Sequence, residues 1–132
     1  MLLDEIGTYL QTQGVGTLAV DLFLGRMPAT PDTAMSVMEY GGLAPVKAMS
    51  ATPGAAVLEM PSIQVLSRSA NYTTARTRAE SAYKKLDGFS GVLSGVRYGF
   101  ISANQAPFFI QRDENDRVWI GFNCLVSKAL SP

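Results

Sequence analysis

Residues 63–88 read IQVLSRSANYTTARTRAESAYKKLDG, a short apolar run followed by an amphipathic segment with clear start and stop signals. Asn71 is a good N-cap residue, because its side-chain oxygen can accept a hydrogen bond from a free backbone N–H of the first helical turn. Gly88 favours the left-handed conformation in which many helices end. The stretch therefore predicts a strand and then a well-capped helix that begins after Asn71 and ends at Gly88.

One side of this predicted helix is apolar and rich in alanine, so the helix can pack closely against a sheet. The apolar stripe consists of Tyr72, Ala75, Ala79, Ala82, Tyr83 and Leu86. The other side is polar and consists of Arg76, Thr77, Glu80, Ser81 and Lys84. Glu80 and Lys84 stand in the favourable order for an ion pair between residues four apart.

The chain before Asn71 predicts one further helix and three strands. Gly14 ends the first helix, Gly41-Gly42 closes the second strand, and Pro61 indicates an edge position or a bulge near the start of the third strand. The predicted ranges are Leu2–Gln13 for the helix and Val20–Gly25, Ala34–Tyr40 and Leu58–Ser67 for the strands, with a loop over Ala29–Asp32.

Residues 42–56 read GLAPVKAMSATPGAA, which predicts a long, flexible loop. The segment holds two prolines, two glycines and many small residues, and it has no clear periodicity. Loops of this length inside a compact domain are usually functional or mobile.

The chain after Gly88 predicts only β-structure. One strand covers Val92 to Ile101, and a hairpin joins Phe108–Arg112 to Arg117–Val126. In the second arm Val118, Ile120, Phe122, Cys124 and Val126 alternate strictly and point to one side. The order of elements predicts an α+β fold, a mostly antiparallel β-sheet with two helices packed on it, in a single domain over residues 1–132.

The composition excludes several classes of function. Eleven basic residues balance eleven acidic ones, so no global field attracts nucleic acid or a membrane surface. The chain has no histidine and one cysteine, which removes the commonest zinc ligand, the usual proton carrier and any internal disulfide. Charged residues are only 17% of the chain, against about a quarter in ordinary domains. A surface covered by neighbouring subunits would explain this value, and so would a well-packed monomer.

The N-terminal sequence MLLDEIGTYL carries acidic residues early and lacks a basic start, so it does not predict a signal peptide. No run approaches the roughly 18 apolar residues of a membrane-spanning helix. The sequence therefore predicts a protein made in the cytoplasm without a membrane partner.

Three features resemble chemical sites, and for each a structural role explains the residues better. Cys124 lies on the inward face of its strand with no histidine to activate it, which predicts a buried thiol. The glycines of Gly88–Gly99 lack the lysine and the following helix of a phosphate loop. Asp113, Glu114 and Asp116 lie in a hairpin turn and lack the later glutamate of a calcium loop. The sequence predicts no catalytic residue, no cofactor and no metal.

Four basic residues make the strand-helix unit locally positive: Arg68, Arg76, Arg78 and Lys84. Contacts with DNA phosphates are conceivable, but no recognition-helix pattern or interleaved aromatic residues accompany them. A charged outer helix face or a polar subunit interface accounts for them better.

Two segments resemble the tail terminator proteins of long-tailed bacteriophages, often labelled minor capsid or tail-to-head joining proteins. The first comprises Gln64-Val65-Leu66-Ser67-Arg68, Tyr72-Thr73-Thr74-Ala75 and the helix through Ala79–Leu86 to Asp87-Gly88. The second comprises Pro107-Phe108-Phe109, Asp113-Glu114-Asn115-Asp116-Arg117 and Trp119-Ile120-Gly121-Phe122-Asn123. With the N-terminal helix, the resemblance covers most of the chain except residues 27–56.

The resemblance implies a structural virion protein at the head-tail junction. Such a protein forms a homohexameric ring that caps the tail tube, ends tail polymerisation and joins the tail to the head. Its partners would be its own copies, the major tail tube protein and the neck (stopper) protein, with non-specific passage of DNA through the lumen. We hypothesise that Arg68, Arg76, Arg78 and Lys84 lie at the subunit interface or lumen, and that the 42–56 loop reaches a ring neighbour or the tube.

Other functions stay open at this point. The chain could be a different small neck or tail-tube component, such as a head-completion or tube protein. It could also be a monomeric module that binds peptides at an exposed sheet edge. A free-standing enzyme is disfavoured, because acid-base or nucleophilic chemistry would have to rely on unpaired carboxylates, lysines and tyrosines.

Overall fold

The computed structural model describes residues 2–47 and 56–129, with side chains described over 2–43 and 58–129. In this part of the chain two helices and seven strands follow the order α-β-β-β-α-β-β-β-β. The helices are α1 (Leu2–Thr12) and α2 (Tyr72–Leu86), and the strands are β1 (Leu22–Leu24), β2 (Ala34–Lys47), β3 (Ala56–Ser69), β4 (Phe89–Leu93), β5 (Val96–Ala103), β6 (Phe108–Arg112) and β7 (Val118–Ala129).

All seven strands join one sheet in the order β1-β2-β3-β7-β5-β4, and β6 pairs with β7 beside that path. Every pairing is antiparallel except that of β1 with β2. Strand β3 pairs with one edge of β7 along its whole length. On the other edge of β7, β6 pairs with the first part of the strand and β5 with the last part. The predicted α+β class with a mostly antiparallel sheet is confirmed.

The core lies between this sheet and the two helices. The five alternating apolar residues of β7, Val118 to Val126, are completely buried, as their alternation predicts. Helix α1 contributes Ile6 and Leu10 to the same core. Each such side chain contributes about 1.5–3 kcal/mol relative to full exposure.

Helix α2 begins where the sequence predicts. The backbone N–H of Thr74 donates to the side-chain oxygen of Asn71 at 3.2 Å, and Gly88 beyond the helix has a φ of +84°. The buried positions of the stripe are Ala75, Ala79, Ala82 and Leu86. Tyr72 is 48% exposed, so its inclusion in the stripe was wrong, because the buried side of the helix begins at Ala75.

The predicted ion pair of Glu80 with Lys84 is also corrected. Glu80 instead accepts from Nε of Arg76 at 3.0 Å. Arg76 and Lys84 each lie four residues from Glu80, so the spacing allows either pair, and the guanidinium of Arg76 takes the carboxylate.

Strand β2 does not end at Gly41-Gly42, and the predicted loop over 42–56 is too long. The strand continues to Lys47, and β3 begins at Ala56. The two glycines have φ of +74° and +152° and lie at a register shift, so they bend the strand without ending it. The rest of the predicted loop, 48–55, lies outside the described residues.

Pro61 pairs opposite Gly42 at this bulge, so the bulge interpretation of that proline is confirmed. The alternative of an edge strand is wrong, because β3 lies between β2 and β7. A Cβ on Gly42 would come within 2.6 Å of the Met60 carbonyl oxygen, which explains the need for glycine there.

The single strand predicted over Val92–Ile101 is in fact the β4–β5 hairpin. Ser94 and Gly95 both have positive φ, which is the geometry that closes a two-residue hairpin turn. A second register shift between Tyr98 and Phe100 moves the burial pattern by one residue. Phe100 is therefore exposed, whereas Tyr98 is buried. Val92, on the other arm of the hairpin, is exposed as well.

Candidate functional site

The four basic residues singled out in the sequence do not form one surface. Arg68 is only 1% exposed, because β3 extends to Ser69 and turns its side chain onto the sheet face away from α2. The Arg78 side chain is 15% exposed, and it pairs with the Asp21 carboxylate at 3.3 Å. Arg76 and Lys84 remain at the surface of α2.

Arg68 and other residues of the two recognisable segments meet at one end of the sheet, in what we call the arginine cluster: Arg68, Asp113, Arg117 and Trp119 with the loop Ala29–Asp32. Arg68 donates from Nε to the Asp32 carbonyl at 3.2 Å and from a terminal nitrogen to the Pro31 carbonyl at 2.6 Å. Its guanidinium lies 5.5 Å from the ring centre of Trp119, the residue opposite it on β7.

Arg117 holds the same loop from the β6–β7 turn. It donates to the Ala29 carbonyl at 2.6 Å and to the Asp113 carboxylate at 3.0 Å. A further ion pair reaches the Asp32 carboxylate at 3.5 Å. The two arginines therefore fix a loop without regular secondary structure against β3 and the terminal hairpin.

The carboxylate of Asp113 is the anionic centre of the cluster. It accepts from the Trp119 indole at 2.9 Å, from the Arg117 side chain and from the backbone N–H groups of Asn115 and Arg117. The Trp119 hydrogen bond is the largest influence, and together these donors lower the pKa of Asp113 to about 2. Burial, and then the nearby Arg117 charge, lower the pKa of Arg68.

The arginine cluster is built to fix the backbone. Both oxygens of Asp113 accept hydrogen bonds from donors of the cluster and of the β6–β7 turn. Within 2–47 and 56–129, no group of histidine, cysteine or acidic side chains is arranged to hold a metal ion. The sequence shows each member of the cluster, but their convergence depends on contacts between residues up to 88 positions apart.

Replacing Asp113 by asparagine should destabilise the protein at neutral pH and much less in acid. The folded pKa of about 2 lies below the ordinary 3.8, so the carboxylate adds stability above that ordinary value. This contribution is lost as the pH falls through the folded pKa. Melting temperatures of both proteins between pH 7 and pH 2 should therefore converge at the acid end. A constant gap across that range would contradict the assignment, and Glu114→Gln in the same turn is the control.

A second feature, missed in the sequence, is a set of exposed apolar residues on the edges of the sheet. All five residues of β6 are exposed, and Phe108, Phe109 and Ile110 are 40%, 51% and 37% exposed. On β2, Tyr40 and Leu43 are 57% and 62% exposed. The available signal was three consecutive apolar residues in one short hairpin arm, which places an apolar side chain on each face of β6.

Cys124, another candidate singled out in the sequence, lies in the core. Cys124 is completely buried, as predicted, and burial followed by the Asp87 charge raises its pKa to about 12. None of the helices within the described ranges combines the length and apolar character needed to cross a bilayer.

Comparison with known proteins agrees with the resemblance drawn from the sequence. The family model described as "Bacteriophage tail terminator protein" matches residues 9–128. Among solved structures, a chain from "Virion of native gene transfer agent (GTA) particle" is similar over 94% of each chain, with a TM-score of 0.57 and 19% identity. At that identity the likeness concerns the fold. No curated protein sequence matches this chain. The family match covers nearly all of the described residues, and the chain therefore belongs to the bacteriophage tail terminator family.

Proposed function

We propose that this protein forms a ring, with six copies, that caps the tail tube, ends its polymerisation and joins the tail to the neck of the filled head. The observation that carries the proposal is the family match over residues 9–128. Membership makes the protein a structural component of the phage tail, and its location is the virion. A structural family favours a non-enzymatic role.

The geometry supports an assembling protein. A ring needs a head-to-tail interface in which two different surfaces of the subunit meet. Strands β2 and β6 carry exposed apolar residues on opposite sides of β3 and β7, so one subunit offers two such surfaces. The arginine cluster and the sheet would keep those surfaces at a fixed angle, which closure after a set number of copies requires.

We propose a role in the ring interface or lumen for Arg76 and Lys84, the two surface members of the basic set. Arg68 and Arg78 hold loops of their own subunit, so their side chains have less to offer a neighbour. The partners in this proposal are other copies, the major tail tube protein and the neck protein, with DNA passing through the lumen.

Phage that lack this protein should assemble tails of abnormal length and heads without tails. Without a cap, tube subunits can keep adding to the free end, and the neck has no surface to bind. Negative-stain electron microscopy of the lysate measures both effects, and wild-type protein supplied from a plasmid should restore them. Tails of normal length on properly joined heads would contradict the proposal.

A further inference from the structure

Strand β6 has the character of an interior strand at an edge position. Its residues Phe108 and Ile110 lie toward one face and Phe109 toward the other, and all three are substantially exposed. In the described residues β6 pairs with β7 alone. Strands that are apolar on both faces are usually buried within a sheet, and free edges usually carry lysine or proline. Strand β6 carries neither, and its protective features are its short length, Arg112 at its end and the register shift between Phe109 and Gln111.

A second free edge lies on β2. Strand β1 covers only Met35 to Val37, so within the described chain the outer edge of β2 beyond Val37 has no partner strand. Residues 39–43 are all exposed and include Tyr40 and Leu43. Besides the terminal strands β1 and β4, the described subunit thus carries one unpaired edge on each side of the β2-β3-β7-β6 part of the sheet.

The strand directions fit these two edges to each other. The successive pairs β2–β3, β3–β7 and β7–β6 are all antiparallel, so β6 runs opposite to β2. A second copy that continued the sheet in the same orientation would place its β2 beside β6 of the first copy. The new pair would be antiparallel, like every neighbouring pair in this part of the sheet.

The side chains also match in one antiparallel register. When Phe108 stands opposite Leu43 of the next copy, Phe109 comes opposite Gly42, where a side chain is absent. These residues lie outside the register shifts of β6, between Phe109 and Gln111, and of β2, between Glu39 and Gly42. A Cβ at Gly41 would have open space within 4 Å, which leaves room for a large side chain from across the junction. Pairs of an aromatic residue with an edge glycine stabilise strand pairing.

We propose that β6 of one copy pairs with Glu39–Leu43 of β2 in the next copy, so that the sheet continues from subunit to subunit. The inference rests on the proposed ring and names the surfaces that close it. The contact is heterologous, because two different edges meet, and this geometry can close into a ring. A stable interface of about 800 Å² per side is larger than one strand pair, so flanking surfaces contribute the remainder.

The test uses one charge on each edge, Phe109→Asp and Leu43→Asp, with Val92→Asp as the matched control. Val92 is 57% exposed on β4, away from both edges. Mass photometry and sedimentation velocity give the particle mass of the purified full chain, alone and with isolated tail tubes. Wild type and Val92→Asp should form rings, whereas each edge variant alone should stay monomeric. Circular dichroism melting checks that every variant is folded.

Mixing the two edge variants is the decisive measurement. Each retains the edge that the other has lost, so the mixture should form dimers that grow no further. Rings from Phe109→Asp alone, a mixture that stays monomeric, or wild type that never associates would each overturn the pairing. Capping of isolated tubes is scored separately. If the folded edge variants cap tubes normally, the proposed strand pairing is wrong and the proposed function stands. If the wild-type protein forms rings that do not cap tubes, only the proposed function is wrong.

Discussion

Replacing Arg68 by alanine should lower the free energy of unfolding by about 2–4 kcal/mol, although the residue lies in no predicted core. The side chain is almost completely buried, and it donates to two backbone carbonyls of the Ala29–Asp32 loop. Alanine leaves a cavity over Trp119 and removes both donors. The substitution also removes a buried positive charge close to Arg117, which is favourable and offsets part of this loss. The expected effect is therefore smaller than the cavity and the two lost hydrogen bonds together would give.

Urea denaturation at fixed protein concentration measures this effect, since association would add to the apparent stability. The control is Arg76→Ala, which removes the same side chain from an exposed pair with Glu80 and should change little. Arg68→Lys should recover only part of the loss, because an ammonium cannot reproduce the fork of donors. Equal effects at Arg68 and Arg76 would contradict the role assigned to the arginine cluster.

Replacing Glu5 by alanine should cost about 3–5 kcal/mol, because it breaks a buried ion pair from one side. The Glu5 carboxylate lies 3.1 Å from the Lys128 ammonium and accepts from the Tyr98 hydroxyl at 2.6 Å. The side chains of Glu5 and Lys128 are only 5% and 4% exposed. Loss of the carboxylate removes the charge that stabilises a buried ammonium and the acceptor of a buried hydroxyl.

The pair also has a defined response to acid. Burial disfavours the charged carboxylate, but the groups around it, the Tyr98 hydroxyl and the Lys128 ammonium among them, outweigh burial, so the pKa of Glu5 is lowered from 4.5. The carboxylate therefore stabilises the fold above its ordinary pKa and loses that effect as the pH falls through the folded value. Unfolding of Glu5→Gln and wild type from pH 7 downward should show a gap that closes in acid.

Asp4→Ala is the control for both measurements on Glu5. Asp4 is exposed in the same first turn of α1, so its loss affects the helix dipole equally without touching Lys128. A loss at Asp4 as large as that at Glu5 would show that helix electrostatics, and not the buried pair, is responsible.

The parts of the fold that the sequence predicts well are those with local causes. The cap at Asn71 and the end of α2 at Leu86, just before Gly88, each depend on residues within one turn of that helix end. The burial of β7 follows from strict alternation between Val118 and Val126. The segments that carry the family resemblance lie in these same elements, so the sequence alone predicts both the family and the fold class.

The parts that it predicts poorly depend on contacts between distant residues. Arg68 follows an apolar run and its sequence context predicts a surface cation, because nothing nearby in sequence shows that a loop 36 positions earlier covers it. The glycine pair at 41–42 predicts the end of a strand, but in the structure β2 bends there and continues. The bulge that causes the bend becomes visible only from the pairing of β2 with β3. The exposure of β6 arises because, in the described residues, only β7 pairs with it, and the sequence of β6 does not show how many strands pair with it.

The pair of Glu5 and Lys128 also holds α1 against the end of β7. These residues are 123 positions apart in sequence and touch in space. Labels attached near Glu5 and near Lys128 would therefore report on the same corner of the molecule. Such labels leave the edges of β2 and β6 unmodified, and in a closed circle they would mark a single level along its axis.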